Sequence, residues 1–483
     1  MSSASYVPTP AQIAAHEQLL ALKSQHAAPP LGPHTTALQV AAPGGPQTDP
    51  TVKQAATDFT VFKNSLINST CSGCAQSTVN EPSTANSGKN IIAISNWNIA
   101  YALNGGAGTI TWQNQDPYTL SSGYCCDQII LYNPDRDVFV MLLLDYAGEG
   151  ASTNGLTIST ARGTAPTSWC TYKFTGANFG EGATDTLDFP KIVISNNNLY
   201  LTWNDYPPNA GFRASGLARM PLDSLASCTT VNFNYLTRTT EFTFALTQQG
   251  AHDQFYWVSN WFLDGTVDGS NLRIFHWADN SGTYFFNTVA INAFNFTMGA
   301  CNWCGRLDPR SESVVITPAE YRAQANSAFA GDQILEVAGT AGPSSFSNGN
   351  NYVVYNYFKL NSLAYIGNDE TYNTSYSFGY PSCATNAKGY VGCAMVEGTN
   401  PGGLILLQDN VSPTQPWGFD FVLAGASSNS SWGDYTWTNP WLPGGGPFET
   451  VLWNVAATGV VHPHYIVWGR GADANDYSRW KAK

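Results

Sequence analysis

Short apolar runs alternate with turns rich in Asn and Gly along most of the chain. Runs at 91–94, 138–144 and 352–355 have the length of β-strands and are rich in aliphatic and aromatic residues. Asn-rich segments such as 196–198 bound them. Short runs of this composition between turn residues predict β-strands rather than helices. The pattern therefore predicts an all-β domain.

A short polar segment precedes the apolar runs at seven places, and we call these the leader segments. They lie at Glu81, Asp127, Asp188, Asp253, Asp308, Pro381 and Asp434, in steps of 46 to 73 residues. A four-stranded propeller blade needs roughly 40–50 residues plus its loops. The repeat therefore predicts a seven-bladed β-propeller, with six or eight blades as alternatives. Because each blade sends its innermost strand to one axis, the leader segments are expected to converge on a single polar funnel.

The first 58 residues have a different pattern. Residues 11–23 show a partial helical apolar face, and residues 28–50 are rich in Pro, Gly and Ala. Such a composition is typical of a linker or a strap over a domain surface. We therefore expect an N-terminal extension over residues 1–58 and the propeller over residues 59–483.

Charge and composition narrow the range of partners. Only 11% of the residues are charged, 13% are aromatic, and the net charge is −13. This charge argues against nucleic acid and against anionic membranes as partners. No apolar run approaches the ~20 residues that a membrane-spanning helix needs. The N-terminus also lacks the apolar core of a signal peptide, so an export signal is expected to be missing from the chain or never to have existed.

Ten cysteines favour an exported protein. Most fall into the close pairs Cys71/Cys74, Cys125/Cys126, Cys301/Cys304 and Cys383/Cys393, which leaves Cys170 and Cys228 as partners for each other. An even number of cysteines in such a chain predicts disulfides formed in an oxidising, extracellular compartment. The two C-x-x-C pairs suggest zinc as an alternative, but they lack the compact spacing of a zinc ribbon.

Residues 124–128 form the most specific local motif of the chain. Its adjacent Cys125 and Cys126 are predicted to form a disulfide ring that offers an apolar plate to a ligand, followed by Asp127 and Gln128. We expect Asp127 to act in catalysis and Gln128 to bind substrate. The alternative is that the cysteines pair elsewhere and Asp127 only caps a strand.

Two arginines flank a carboxylate at Arg306, Asp308 and Arg310. In a strand these three side chains would share one face. Guanidinium groups bind carboxylate and phosphate with two parallel hydrogen bonds, which predicts a clamp for an acidic sugar. An internal ion pair with Asp308 or a neighbouring blade is an equal alternative.

The other leader residues supply candidate acids and bases. Two carboxylates separated by ~5–10 Å are the usual machinery of glycosidases. We expect Asp127, together with Asp253 or His252, to move protons, and Tyr380 to assist; the ordinary pKa of His252 suits a general base. Glu81, Asp188, Trp432 and Asp434 are expected to bind substrate. The alternative is that these polar residues only join neighbouring blades. No cofactor is expected, apart from structural calcium at Asp264 and Asp268 as an alternative.

The chain resembles a group of secreted bacterial propeller proteins described as sialidase-like or BNR-repeat-like. The resemblance lies in Cys125-Cys126-Asp127-Gln128, the Arg306–Arg310 motif, Tyr380-Pro381-Ser382 with Gly389-Tyr390-Val391-Gly392, and Trp432-Gly433-Asp434-Tyr435. It covers most of residues 81–470 and implies a propeller fold and export. The Phe-Arg-Ile-Pro motif of true sialidases is absent, which argues against cleavage of sialic acid.

Together these features predict a secreted carbohydrate-active protein. The leading expectation is a glycosidase or polysaccharide lyase that acts on an acidic glycan in the central funnel. A lectin or adhesin without catalysis, or a structural surface protein, is the alternative. Carbohydrate is the expected partner, without nucleic acid and without insertion into a membrane.

Overall fold

The computed structural model describes residues 59–481, apart from residues 68–70, 72–73, 75–80, 104, 106–109, 249–252, 302, 305–306, 319–331, 410–416, 428–434 and 443–444. In this part of the chain, 28 strands form seven four-stranded antiparallel sheets. The prediction of a seven-bladed β-propeller is therefore confirmed. The predicted helix at 11–23 and linker at 28–50 lie outside the described residues.

The first four blades follow one another along the chain, with the innermost strand first in each. The chain begins with β1 (Phe59–Leu66), which belongs to the last blade. The strands of the first four blades are β2 (Ser83–Asn86), β3 (Ile91–Ser95), β4 (Asn98–Ala102) and β5 (Gln113–Gln115) in blade 1; β6 (Tyr124–Asn133), β7 (Val138–Asp145), β8 (Gly155–Arg162) and β9 (Ala165–Phe174) in blade 2; β10 (Thr186–Ile194), β11 (Asn198–Tyr206), β12 (Ala214–Pro221) and β13 (Asn234–Arg238) in blade 3; and β14 (Ala245–Leu246), β15 (Gln254–Ser259), β16 (Asn271–Ala278) and β17 (Tyr284–Ala290) in blade 4.

The remaining blades close the ring. Their strands are β18 (Ser311–Pro318), β19 (Gln333–Ala341), β20 (Tyr352–Lys359) and β21 (Tyr365–Thr371) in blade 5; β22 (Ser377–Thr385), β23 (Val391–Gly398), β24 (Gly402–Gln408) and β25 (Trp417–Leu423) in blade 6; and β26 (Trp437–Pro440), β27 (Phe448–Val455) and β28 (Val461–Arg470) in blade 7. The N-terminal β1 pairs with β28 as the outermost strand of blade 7, from Phe59 opposite Arg470 to Leu66 opposite His464. The two ends of the chain thus share one sheet, which leaves no open junction in the ring.

Helices are short in the described part of the chain. They are α1 (Leu222–Ala226), α2 (Ala474–Lys481) and single 3₁₀ turns at Pro117–Thr119, Gly176–Phe179 and Gly471–Asp473. No helix among the described residues is long and apolar enough to cross a membrane.

The backbone is kinked at or just before the start of several innermost strands, in three cases within a leader segment. Asp127, Phe189, Thr243 and Tyr380 adopt left-handed backbone angles, with φ between 48° and 57°. The strand pairing slips at three of these places, in β6, β10 and β22. A left-handed residue that carries a side chain costs roughly 1–3 kcal/mol and persists only where its surroundings hold it. A β-bulge of this kind redirects side chains at the start of the innermost strand.

Serine hydroxyls on the innermost strands join neighbouring blades. Ser83 accepts a hydrogen bond from the backbone N–H of Ile130 at 2.8 Å, and Ser382 accepts one from Thr438 at 3.0 Å. Ser313 accepts the same kind of bond from Cys383 at 2.9 Å. These bonds satisfy backbone N–H groups on the inner edge of the sheets, where no further strand pairs with them.

The apolar core lies between the blades. Leu142 and Ile158 of blade 2 pack in one buried cluster with Leu201 and Trp203 of blade 3. Because both faces of a blade are covered by its neighbours, its strands are apolar on both sides, as their sequences indicate.

All ten cysteines form disulfides, which confirms the prediction of disulfide bonding. The bonds join Cys71 to Cys74, Cys125 to Cys126, Cys170 to Cys228, Cys301 to Cys304 and Cys383 to Cys393. Each C-x-x-C pair closes on itself, so the zinc alternative is wrong. Cys125 and Cys126 are 3% and 1% exposed inside the cluster between blades 2 and 3. Their ring therefore packs into the core and does not serve as the expected plate for a ligand.

Candidate active site

A narrow cavity lies on the propeller axis. Its empty space, part of it open to solvent, is about 510 Å³. Six of the seven innermost strands or their leading residues line it: Ile129, Lys191, Ile192, Val193, Leu246, Gln248, Arg310, Glu312, Tyr380, Pro381, Ser382, Tyr435, Thr436 and Trp437. The prediction that distant leader segments meet at one centre therefore applies to most of the blades.

Two cations reach this cavity. The guanidinium of Arg310 lies 3.7 Å from the ring centroid of Phe189, and the ammonium of Lys191 lies 4.9 Å from the same ring. Arg310 also forms an ion pair with Asp308, with 2.9 Å between Nη1 and Oδ2. The internal ion pair that the sequence left as an alternative thus exists, while Arg310 still lines the cavity. Arg306, the other predicted arm of the clamp, lies outside the described residues.

Glu312 is the residue that sequence reasoning missed. It lies two positions after Arg310, lines the same cavity and is only 8% exposed. Its Oε2 accepts a hydrogen bond from the Thr340 hydroxyl at 3.0 Å, whereas its Oε1 has no hydrogen-bond partner among the described residues. The period of two that placed Arg306, Asp308 and Arg310 on one face, extended by one step, would have pointed to it.

Burial raises the pKa of Glu312 to about 8. The charges of Arg310 and Lys191 and the Thr340 hydrogen bond act in the opposite direction, and Asp308 adds to the rise. Removal of a carboxylate from water disfavours its charged form, and the two cations compensate only in part. The Glu312 carboxyl is therefore mostly protonated at pH 7.

Thr340 connects Glu312 to the aromatic wall of the cavity. Its hydroxyl donates to Glu312 and accepts a hydrogen bond from the backbone N–H of Tyr380 at 3.2 Å. The Tyr380 carbonyl in turn accepts a hydrogen bond from the Thr436 hydroxyl at 2.8 Å. Tyr435 packs against Phe189, with ring centroids 5.8 Å apart. These contacts hold the bulge at Tyr380 in place beside the acid.

Asp188 lies at the edge of this group. It directly precedes Phe189, the ring on which both cations rest, and it is 5% exposed. The pKa of Tyr146 is raised to about 12 by burial and, to a smaller extent, by Glu149 and Asp188. The predicted substrate-binding Asp188 is thus next to the cavity residues rather than among those that line the cavity.

Glu81 and Gln128 belong to a buried network between blades 1 and 2. Asn96 donates to the Glu81 carboxylate at 3.0 Å and accepts from the Glu81 backbone N–H at 2.8 Å. The Gln128 amide donates to the Glu81 carbonyl and accepts from the Tyr124 hydroxyl at 2.5 Å. These contacts correspond to the alternative reading of the leader residues, in which polar side chains join neighbouring blades.

Asp127 and Asp253 do not line the axial cavity. Asp127 forms the bulge of β6 and is completely buried. Asp253 directly precedes the second strand of blade 4, not the innermost one, and is exposed. Its Oδ1 accepts a hydrogen bond at 2.8 Å from Asn196, which follows the far end of β10. Placing Asp253 with the axial acids was therefore wrong, because blade 4 begins earlier, at β14.

Asn196 belongs to a second opening at the far ends of the innermost strands. This opening has about 960 Å³ of empty space, and its wall includes Asn133, Asn196, Asn386 and Trp441. Asp253 therefore lies beside the end of the propeller opposite to Asp188.

Five other residues were predicted to bind substrate, take part in catalysis or bind calcium. His252, Trp432 and Asp434 lie outside the described residues. Asp264 forms an ion pair with Arg273 at 3.0 Å, and Asp268 accepts a hydrogen bond from the Phe262 backbone at 2.7 Å.

Comparisons with known proteins give a consistent but coarse picture. No protein-family model matches the chain, and no curated protein matches it. Among solved structures, a protein of unknown function from Dyadobacter fermentans has 7% identity and a TM-score of 0.45, over 85% of this chain and 99% of the other.

Two enzymes are also among the similar structures. The α-L-arabinofuranosidase Arb93A from Fusarium graminearum has 8% identity and a TM-score of 0.43, over 70% of this chain and 91% of its own. A sialidase from Trypanosoma rangeli has 11% identity and a TM-score of 0.38, over 71% of this chain and 53% of its own. Likeness at these values is one of fold, so function has to be argued from the cavity itself.

Proposed function

We propose that this protein is a carbohydrate-active propeller that cleaves an acidic glycan in its axial cavity. The observation that carries the proposal is the Glu312 carboxyl, which is buried at the axis beside the cations Arg310 and Lys191. A protonated acid next to fixed positive charge is an arrangement suited to protonating a leaving group on a negatively charged substrate.

In this proposal Glu312 acts as the general acid. With a pKa of about 8, it keeps its proton at pH 7 and can donate it to the oxygen that leaves when a glycosidic bond breaks. Its Oε1, which has no hydrogen-bond partner among the described residues, is the atom that would meet this oxygen. Thr340 holds Oε2 and so fixes the orientation of the carboxyl.

Arg310 and Lys191 would bind the acidic group of the sugar. Both are in contact with the Phe189 ring, which limits their movement. A bound carboxylate would neutralise the two charges that now lower the pKa of Glu312. Binding of the substrate would therefore raise the pKa of Glu312, so the general acid would keep its proton until cleavage.

Cleavage also requires a second group. Hydrolysis needs a carboxylate that acts as nucleophile or activates water, and Asp188, next to Phe189, is our candidate. Elimination by a lyase instead needs a base that removes a proton from the sugar ring, and Tyr380 in the cavity wall is our candidate for that step. The assignment of Asp127 to catalysis stays a prediction, and Asp253 is not part of the proposal.

Glycan binding without catalysis is the second candidate function. Tyr380, Tyr435 and Trp437 give the cavity an aromatic wall, and aromatic rings stack on sugars whether or not a reaction follows. We further propose an extracellular location, because five disulfides suit an oxidising compartment.

Incubation of the full chain with a panel of acidic and neutral polysaccharides tests the proposal. New reducing ends without ultraviolet absorbance would indicate a hydrolase, whereas absorbance of unsaturated uronates would indicate a lyase. Binding of an acidic glycan without either product would support the second candidate. Absence of both binding and cleavage across the panel would refute the proposal.

A further inference from the structure

Blade 3 carries a cluster of three carboxylates away from the residues that line the axial cavity. Glu181 and Asp185 lie in the loop between β9 and β10, and Asp205 lies near the end of β11. One oxygen from each of the three residues lies within 4.8 Å of the others. The side chains are 7%, 4% and 0% exposed, so the group is almost entirely removed from water.

Arg213 is the counter-charge within this group. Its Nη2 lies 2.6 Å from Oδ2 of Asp185, its Nε lies 2.5 Å from Oδ2 of Asp205, and it also contacts Oε2 of Glu181. One guanidinium balances one of three carboxylates. Buried charge without compensation is strongly unfavourable, so the cluster calls for further positive charge or for a proton.

Three buried oxygens of the cluster have no hydrogen-bond partner among the described residues: Oε1 of Glu181 and both oxygens of Asp205. Oδ2 of Asp205 is paired with Arg213, which leaves Oε1 of Glu181 and Oδ1 of Asp205. Buried polar atoms are nearly always hydrogen-bonded or bound to an ion. Arg213 contacts the other oxygen of each carboxylate, so these two are left for another partner. This observation, separate from the acidic composition, points to a bound cation.

We infer that Glu181, Asp185 and Asp205 bind a Ca²⁺ ion. All three ligands are carboxylate oxygens, which hard divalent cations prefer and which do not favour zinc or copper. Ca²⁺ accepts six to eight oxygens in irregular geometry, so three carboxylates and several waters would complete its shell. Mg²⁺ demands near-ideal octahedral geometry and fits such a set less well.

The site would fix the segment that leads into the axial cavity. Asp185 accepts a hydrogen bond from the Gly182 backbone at 2.6 Å, which closes the loop directly before β10. Asp188 follows three residues later and precedes Phe189. The cation would thus tie this loop to β11 and hold the start of the innermost strand of blade 3.

Calorimetric titration of the full chain with Ca²⁺ after removal of metal by a chelator tests the inference. We expect one saturable site with a dissociation constant of roughly 10⁻⁴–10⁻³ M, as in extracellular modules. The Asp205→Asn variant should bind at least tenfold more weakly.

Asp264→Asn is the matched control, because Asp264 is an acidic residue paired with an arginine in a different loop. Its affinity for Ca²⁺ should equal that of the unchanged chain. Glu181→Gln provides a second test if Asp205→Asn fails to fold, and near-ultraviolet circular dichroism would check the fold of each variant. No saturable binding up to several millimolar Ca²⁺, or binding lost only in Asp264→Asn, would overturn the inference.

Discussion

Two of the buried glutamates of blade 5, Glu312 and Glu370, lie in different environments. Glu312 leads into the innermost strand, and Glu370 lies on the outermost strand. They are 8% and 1% exposed, and burial raises the pKa of each to about 8. Each also has one oxygen without a hydrogen-bond partner among the described residues. By these measures the two carboxyls are nearly equivalent.

Their surroundings separate them. Glu312 lines the axial cavity with Arg310 and Lys191, whose charges lower its pKa. Glu370 contacts Asn368 and lies beside Asp369, which raises its pKa further. A raised pKa therefore does not identify a catalytic acid by itself. Access to a cavity and a cation that can receive a charged substrate are what distinguish Glu312.

The largest expected effect is a loss of glycan cleavage when Glu312, but not Glu370, is replaced. We expect Glu312→Gln to lower the rate of glycan cleavage by about 10²–10⁴-fold, because the amide cannot donate a proton to the leaving oxygen. Glu370→Gln is the matched control and should change the rate by less than about twofold. Initial rates of product formation measure both. Equal losses in the two variants would mean that Glu312 has no special role.

Arg310→Gln tests the charge that sets Glu312 apart. Loss of a charge-assisted bond to the substrate costs about 1.5–3 kcal/mol, so KM for an acidic glycan should rise by about 10–150-fold. KM for a neutral analogue should change little. If binding of every acidic glycan is unchanged in this variant, Arg310 does not bind the substrate.

Glu370 should make the fold less stable as the pH rises. Its folded pKa of about 8 lies above the unfolded value of 4.5, so the folded state keeps a proton that the unfolded state loses between these values. Each such group lowers the free energy of unfolding by about 1.4 kcal/mol per pH unit in that range. Glu370→Gln should remove this contribution between pH 5 and pH 8.

Urea unfolding at several pH values measures the difference. The slope of stability against pH should be flatter in Glu370→Gln than in the unchanged chain. Identical slopes would show that Glu370 is ionised in the folded state. The same measurement on Glu312→Gln should give a similar change, because the two groups have similar pKa values.

The smallest effect concerns the pH at which activity falls. Cleavage that depends on protonated Glu312 should decline as the pH rises through about 8. The charge of Lys191 lowers this pKa, so Lys191→Met should move the decline to higher pH by about half a unit. The pH dependence of kcat/KM reports it. A shift to lower pH would contradict the proposed contact.

The propeller could be predicted from sequence because its signals are local. Apolar runs, turn residues and the spacing of the leader segments each depend on a few neighbouring residues. The same signals misplaced blade 4, where the polar segment at Asp253 precedes the second strand. The innermost strand of that blade, Ala245–Leu246, is only two residues long and leaves no clear pattern.

The site was harder to predict because side chains from six blades form it. Arg310 and Tyr380 stood out in the sequence and do line the cavity. Glu81 and Gln128 stood out equally, yet they join two blades through Asn96. Sequence separation does not show which polar residue faces the axis and which faces the next blade, since bulges change the direction of the side chains that follow.

The sequence by itself thus determined the repeat of strands, the covalent pairing of its neighbouring cysteines and the net negative charge of the whole molecule, because these follow from local composition. Only the tertiary structure decided that Glu312 would hold a proton beside Arg310 and Lys191. The raised pKa arises from burial, which the charges of Arg310 and Lys191 offset only in part. This burial, and the approach of Lys191 from another blade, come about only when the ring of blades closes.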